Sequence, residues 1–163
     1  MATSRGAAPE DTAHINDMPG FLLRRCNQIA MAIFLEETAG FDLTPAQYGA
    51  LMLIAAGPGI DQTGLMERSA LDRSSITKCV DRLELRGAIQ RKVDPADRRV
   101  RRLVATDAGV ALLHAVEAHV MQSQTRILAP LGVEKAALFL EMLKELALFH
   151  NEASRVPVRE SVD

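Results

Sequence analysis

DRSSITKCVDRLELRGAIQRKVDPADRRVRRLVATDAG, residues 72–109, decides the fold. In its first part Ile76, Val80 and Leu83 recur at helical spacing, a single apolar stripe on an otherwise polar helix over 73–87. Asp72 stands at the N-cap position, where its carboxylate accepts from free N–H groups and suits the positive end of the helix, and Gly87 supplies the stop. Residues 88–92 and 99–105 read as short strands joined by the turn Asp94-Pro95-Ala96-Asp97. Val100, Arg102 and Val104 share one strand face, with Arg101, Leu103 and Ala105 on the other. A helix followed by a hairpin with arginines at its tip is the order needed to set a helix in a DNA major groove with a hairpin beside it. The charge agrees. Residues 68–102 hold eleven Lys/Arg and five Asp/Glu, a local +6, whereas the chain carries −2, leaving −8 elsewhere. A basic island in an acidic chain points to a localised polyanionic partner.

Working outward, Thr44 and Pro45 mark a helix start at N-cap and first helical position, and Gly57-Pro58-Gly59 ends that helix after Ala56. A short helix over 61–69 follows, capped by Asp61 and facing inward at Leu65. Before these, residues 18–39 place Leu22, Ile29, Ile33 and Phe34 at near-helical spacing, with Gly40 as the stop. After the hairpin, Thr106 caps a long helix bearing Val110, Leu113, Val116, Val120 and Ile127, broken at Pro130-Leu131-Gly132. A last helix over 134–152 carries Leu138, Met142, Leu146 and Phe149. The fold class is mainly α, in the order α-α-α-α-β-β-α-α. The long outer helices have more apolar surface than the small central module can cover, which suggests burial across a two-fold.

The 163 residues, 48% hydrophobic and 25% charged, suit one globular domain with a real core. No apolar run is long enough for a membrane span, and the N-terminus lacks the apolar core of a secretory signal. Cys26 and Cys79 form no CxxC and read as reduced thiols, so the expected location is cytoplasmic. Residues 1–16 and 154–163 have little periodic apolar content and read as flexible tails.

LTPAQYGALMLIA (43–55) and LDRSSITKCVDRLELRGAIQRKVDPADRRVRRLVATDAG (71–109), with the flanking helices, resemble the MarR family of transcriptional regulators over about 130 residues. DPADRR, an apolar strand and T-D-A-G correspond to the family's wing. Ala70 departs from the glycine many members carry before the recognition helix. The resemblance implies a homodimeric winged helix-turn-helix protein over 17–153, with a reading head at about 44–106 and dimerisation helices at about 17–39 and 107–153. It implies double-stranded DNA as partner and two half-sites about one helical turn apart. Its contacts would come from Arg73, Ser74, Ser75, Thr77, Lys78 and Arg82 on the recognition helix. Arg73 and Lys78 would donate to guanine or phosphate and the three hydroxyls to phosphate, with Asp72 and Asp81 structural. In the wing, Asp97 would hold Arg99, so that Arg98 and Arg99 reach a minor groove, while Arg91 and Lys92 touch phosphates.

Members of the family commonly release DNA on binding a small aromatic carboxylate. The candidate clamp is Phe21, Arg24, Arg25 and Gln28 on the first helix with Tyr48 and Met52 on the second. MPGFLLRRCNQIAMAIF (18–34) is most similar to repressors of nicotinate degradation, which points to a hydroxynicotinate. A thiol sensor built on Cys26 beside Arg25 is an alternative, as is a protein-interaction module whose basic patch takes an acidic partner. His114, Glu117 and His119 do not share one helical face, so no metal site is expected. No phosphate loop, nucleophile elbow or HExxH is present, Asp94 and Asp97 lie on a basic hairpin suited to ion pairing, and neither an enzyme nor a cofactor is implied.

Overall fold

Six α-helices and one two-stranded sheet make up a computed structural model that describes residues 13–159. They follow in the order α1 (Pro19–Glu37), α2 (Pro45–Ala56), α3 (Gln62–Ser69), α4 (Arg73–Leu85), β1 (Ile89–Val93), β2 (Arg101–Ala105), α5 (Asp107–Leu128) and α6 (Gly132–Phe149). The mainly helical winged helix-turn-helix arrangement expected from the sequence is the one observed.

The helix starts were legible because their caps are local chemistry. Thr44 and Gln47 form a reciprocal capping box, the Thr44 hydroxyl accepting from Gln47 N and the Gln47 side chain accepting from Thr44 N. Asp61, Asp72 and Thr106 each accept from the backbone N–H three residues on. Stops were harder. Gly40 does not end α1. The helix closes at Thr38, whose hydroxyl and N–H both donate to Phe34 O, and a 3-10 turn carries the chain over Gly40. Similarly, β2 begins at Arg101 and not at 99, because Val100 N donates back to Asp97 O and extends the turn. The last helix begins earlier than expected, at Gly132, and gives way after Phe149 to a 3-10 turn.

The core lies under α4. Ile76, Val80 and Leu83 are buried as their spacing requires, joined by Leu51 and Ile54 of α2, Leu65 of α3, Ile89 and Leu103 of the hairpin, and Val116 of α5. β1 and β2 pair antiparallel, Ile89 opposite Ala105 and Val93 opposite Arg101. Ile60 adds one rung on the other side of β2, its carbonyl accepting from Leu103 N at 2.8 Å. This fastens the hairpin to the loop between α2 and α3.

Gly109, near the start of α5, has a steric duty. A Cβ there would sit 2.0 Å from Ala88 O, so only glycine lets α5 begin against β1. Thr106 completes the joint, its N–H donating to Ala88 O and its hydroxyl to Gly87 O.

The outer helices leave much of their apolar surface uncovered within one chain, as their sequence leads one to expect. Of the α1 positions named above only Phe34 is buried; on α5 Val116 and Val120 are buried but Val110 is exposed. No residue of α6 is buried, and Phe149 is 82% exposed. Residues 154–159, expected as part of a flexible tail, lie against α3, with Arg159 N donating to Glu67 O at 2.7 Å. Residues 1–12 and 160–163 of the expected tails lie outside the described residues.

Candidate nucleic-acid interface

With Ile76, Cys79, Val80 and Leu83 turned into the core, the opposite face of α4 must point outward, and Arg73, Ser74, Thr77, Lys78 and Arg82 are exposed there. Ser75 is half-buried. Two of the three hydroxyls are already engaged: Ser74 donates to Asp72 Oδ1 at 2.8 Å and Thr77 to Arg73 O at 2.9 Å. Asp72 also accepts from Ser75 N at 2.8 Å. That backbone bond, with the Ser74 hydroxyl, holds its carboxyl below the ordinary aspartate range. The structural role expected of Asp72 is therefore the one it plays, and phosphate contacts from Ser74 and Thr77 would require their hydroxyls to turn.

Arg91 differs from expectation. Its guanidinium spans Asp81 of α4 and Glu84 one turn on, tying β1 to the recognition helix, so a phosphate would have to compete with two carboxylates for it. Burial pulls its pKa down, but the hydrogen bond to Asp81 and the charge of Glu84 outweigh that and leave it raised. Lys92, next along the strand, stays exposed.

The wing tip is also held differently from the expected pairing. Asp97 does not grip the Arg99 side chain; its Oδ1 accepts from Arg99 N at 2.9 Å. The anchoring carboxylate is Asp94, nearly buried, which takes the Arg102 Nε and the backbone N–H groups of Ala96 and Asp97. Arg102 continues to Gly59 O at 3.1 Å. Because the Arg102 bond, then those N–H groups, lower its pKa, Asp94 supports the wing at every pH above the ordinary value of 3.8 and the support is lost only as acid protonates it. The lock leaves Arg98 and Arg99 exposed at the tip. Sequence reasoning had placed Asp94 on an ion-paired hairpin without naming its partner. The signal was present, since Asp94 opens the turn and Arg102 alternates onto one face with Val100 and Val104.

Arg86 was missed altogether. It donates to Asp42 O at 2.8 Å and Phe41 O at 2.5 Å, binding the end of α4 to the loop before α2. No short-range pattern announces a contact across more than forty residues.

The sequence profile of the MarR family matches residues 41–100. A putative transcriptional regulatory protein for the hcr operon of Thauera aromatica is 38% identical over 128 residues, covering 78% of this chain and 77% of its own length. The chain belongs to the MarR family. Within the family it is also 28% identical over 146 residues to the transcriptional repressor NicR of Pseudomonas putida, covering 88% of this chain and 92% of that one. The transcriptional repressor CouR, solved bound to a 23-mer DNA duplex, superposes with a TM-score of 0.77 at 30% identity, over 86% of this chain and 99% of CouR. CouR has also been solved bound to p-coumaroyl-CoA, with a TM-score of 0.76 at 28% identity over 85% of this chain and 98% of that one. These relatives are transcriptional regulators and not enzymes, as the sequence reading has it for this MarR-family chain.

The candidate effector residues lie along α1 and α2. Tyr48 packs on Phe34 near the end of α1, ring centroids 6.1 Å apart, and burial followed by the Glu117 charge raises its pKa. Met52, one turn further along α2, is exposed. Arg24 lies over the Phe21 ring at 5.2 Å near the start of α1. Ten residues separate Arg24 from Phe34, roughly 15 Å of helix rise. Arg25 and Gln28 are exposed on the intervening turns. Cys26 is exposed, whereas Cys79 is buried with its thiol pushed up by that burial, as packing requires. No group of three or more His, Cys, Asp or Glu side chains is placed to hold a metal, and no helix is long and apolar enough to cross a membrane, among the described residues.

Proposed function

We propose that this MarR-family protein is a repressor that binds a pseudo-palindromic operator as a homodimer, with one reading head per half-site. The carrying observation is the continuity of exposed cations from Arg73, Lys78 and Arg82 on α4 to Arg98 and Arg99 on a wing locked by Asp94 and Arg102. Arg73 and Lys78 read base edges in the major groove, and the wing arginines follow the adjacent minor groove. Lys92 contributes to phosphate binding and Arg91 does not. The dimer is supported by the bare apolar face of α6 and by exposed Leu22, Leu23 and Ile29 on α1.

In the same reading a small aromatic carboxylate, a hydroxynicotinate being the first candidate, releases the DNA. Tyr48 packs at Phe34, about a 15 Å helix rise along α1 from Arg24, and in this reading a second copy completes the clamp. A complex of CouR with an aromatic thioester fits an effector of aromatic character.

Gel shifts with duplexes from the promoter region beside its own coding sequence test the DNA reading. Tight binding to one duplex that falls steeply with salt is expected, and Arg73→Ala or Lys78→Ala should alter sequence preference. Equal, weak binding to all duplexes would remove it. A thermal-shift and operator-release screen of hydroxynicotinates and benzoates tests the effector; no response to any of them would remove that part and leave the DNA reading standing.

A further inference from the structure

We infer that residues 154–159 form a third DNA-contacting element, in which Arg155 and Arg159 take duplex phosphates beside the start of α4. The inference rests on the DNA reading proposed above and assigns a role to a segment outside the helix and the wing.

The segment leaves the last 3-10 turn at Ala153 and is held in place twice. Asn151 brackets Val158, its Nδ2 donating to Val158 O at 3.0 Å and its Oδ1 accepting from Val158 N at 2.9 Å. Beyond that bracket Arg159 N donates to Glu67 O on α3. Val156 and Pro157 are half-buried, so the strap has an inner apolar side, while Arg155 and Arg159 are exposed. A cleft of about 250 Å³ brings Arg155, Pro157 and Arg159 together with Met66, Glu67, Asp72 and Arg73. Asp72 is committed to capping α4. None of the three arginines is ion-paired among the described residues.

Three guanidinium groups against the two carboxylates Glu67 and Asp72 leave the cleft lining with a net positive charge, which an anion can neutralise. The position says which anion. In helix-turn-helix proteins the first turn of the recognition helix enters the major groove, so groups flanking it meet the phosphates that border the groove. Arginine suits this task through its paired N–H donors. Two exposed cations on a strap tethered at Val158 and Arg159 cost less chain ordering on binding than the same cations on a free tail.

Salt-titrated binding of the full-length chain to a random-sequence B-form duplex, and to its promoter duplex, provides the test. Arg155→Ala/Arg159→Ala should weaken binding to both duplexes by a similar factor and flatten the dependence of log K on log salt by about 1 for each arginine. The Arg155→Lys/Arg159→Lys variant should restore most of the slope, because a point charge suffices for phosphate. Asn151→Ala, which frees the strap, should also weaken binding. Parent-like affinity and slope in the Ala double variant would overturn the inference, and so would tighter binding, which would mean that the strap shields the helix. A Lys variant as weak as the Ala variant would point to a packing role and overturn it as well. Should the parent itself bind no duplex with salt dependence, the DNA reading fails first, a result distinct from all of these.

Discussion

The reading head and the outer helices both carry apolar stripes and use them in opposite ways. In α4 every residue of the apolar stripe is buried within the chain; in α6, with Leu138, Met142, Leu146 and Phe149 at comparable spacing, none is. The head is therefore a finished object, closed by caps, ion pairs and a glycine joint. The outer helices are half of one. A face of that size left to water would cost roughly 25 cal/mol for each Å² that a partner could cover, which is the physical reason to expect a second copy.

The sharpest way to break this comparison is on α6. Leu146→Glu sets a charge in the bare face, and a two-fold axis counts the damage twice, a loss of roughly 3–6 kcal/mol of association if each leucine contributes the usual 1.5–3. Sedimentation should show monomers whose head still melts cooperatively, with operator affinity lost. A variant that remains dimeric would mean that the interface lies elsewhere.

Inside the head the corresponding lesion is Gly109→Ala. Its Cβ meets the carbonyl oxygen of Ala88, a backbone atom at the root of β1 that cannot swing aside. Denaturant melts should register a loss of roughly 3 kcal/mol, the upper end for overpacking. Gly20→Ala, in the first turn of α1 with open space around it, should cost nothing measurable. Equal effects at the two glycines would contradict the contrast between a closed head and an open periphery.

The wing tests the same contrast at the level of binding. Arg99→Ala removes an exposed cation without touching the Asp94–Arg102 lock, so stability should hold while operator affinity falls by about 1–2 kcal/mol and the salt slope becomes shallower. An unchanged gel shift would mean that the tip does not meet DNA.

What was legible in the sequence follows a physical line. Thr44, Asp61, Asp72 and Thr106 were readable because a cap spans three residues. The stripe of Ile76, Val80 and Leu83 was readable because it reports one helix against one core. The engagement of Arg91 with Asp81 and Glu84, and of Arg86 with the loop at Phe41–Asp42, was not, since a charge in a sequence does not announce its partner. Basic residues within one island thus divided into those that hold the head together and those left for a ligand. The effector set was chosen mostly from helix faces that stay open within one chain, where no packing partner sharpens the reading.

The smallest expected effect concerns the turn that aims α4. Ala70 takes φ 53°, the left-handed region, where a Cβ crowds the following carbonyl and costs roughly 1–2 kcal/mol. The sequence reading noted alanine there, where many relatives carry glycine, and the observed angle gives that departure its physical meaning. Ala70→Gly relieves the crowding but adds chain entropy to the unfolded state, so the net gain should be about 1 kcal/mol or less, seen as a small rise in melting temperature. Binding should shift hardly at all if the turn already holds α4 at its working angle. A measurable loss of stability would mean that neighbouring packing, and not backbone preference, sets this turn, and the head would then be less locally determined than its caps suggest.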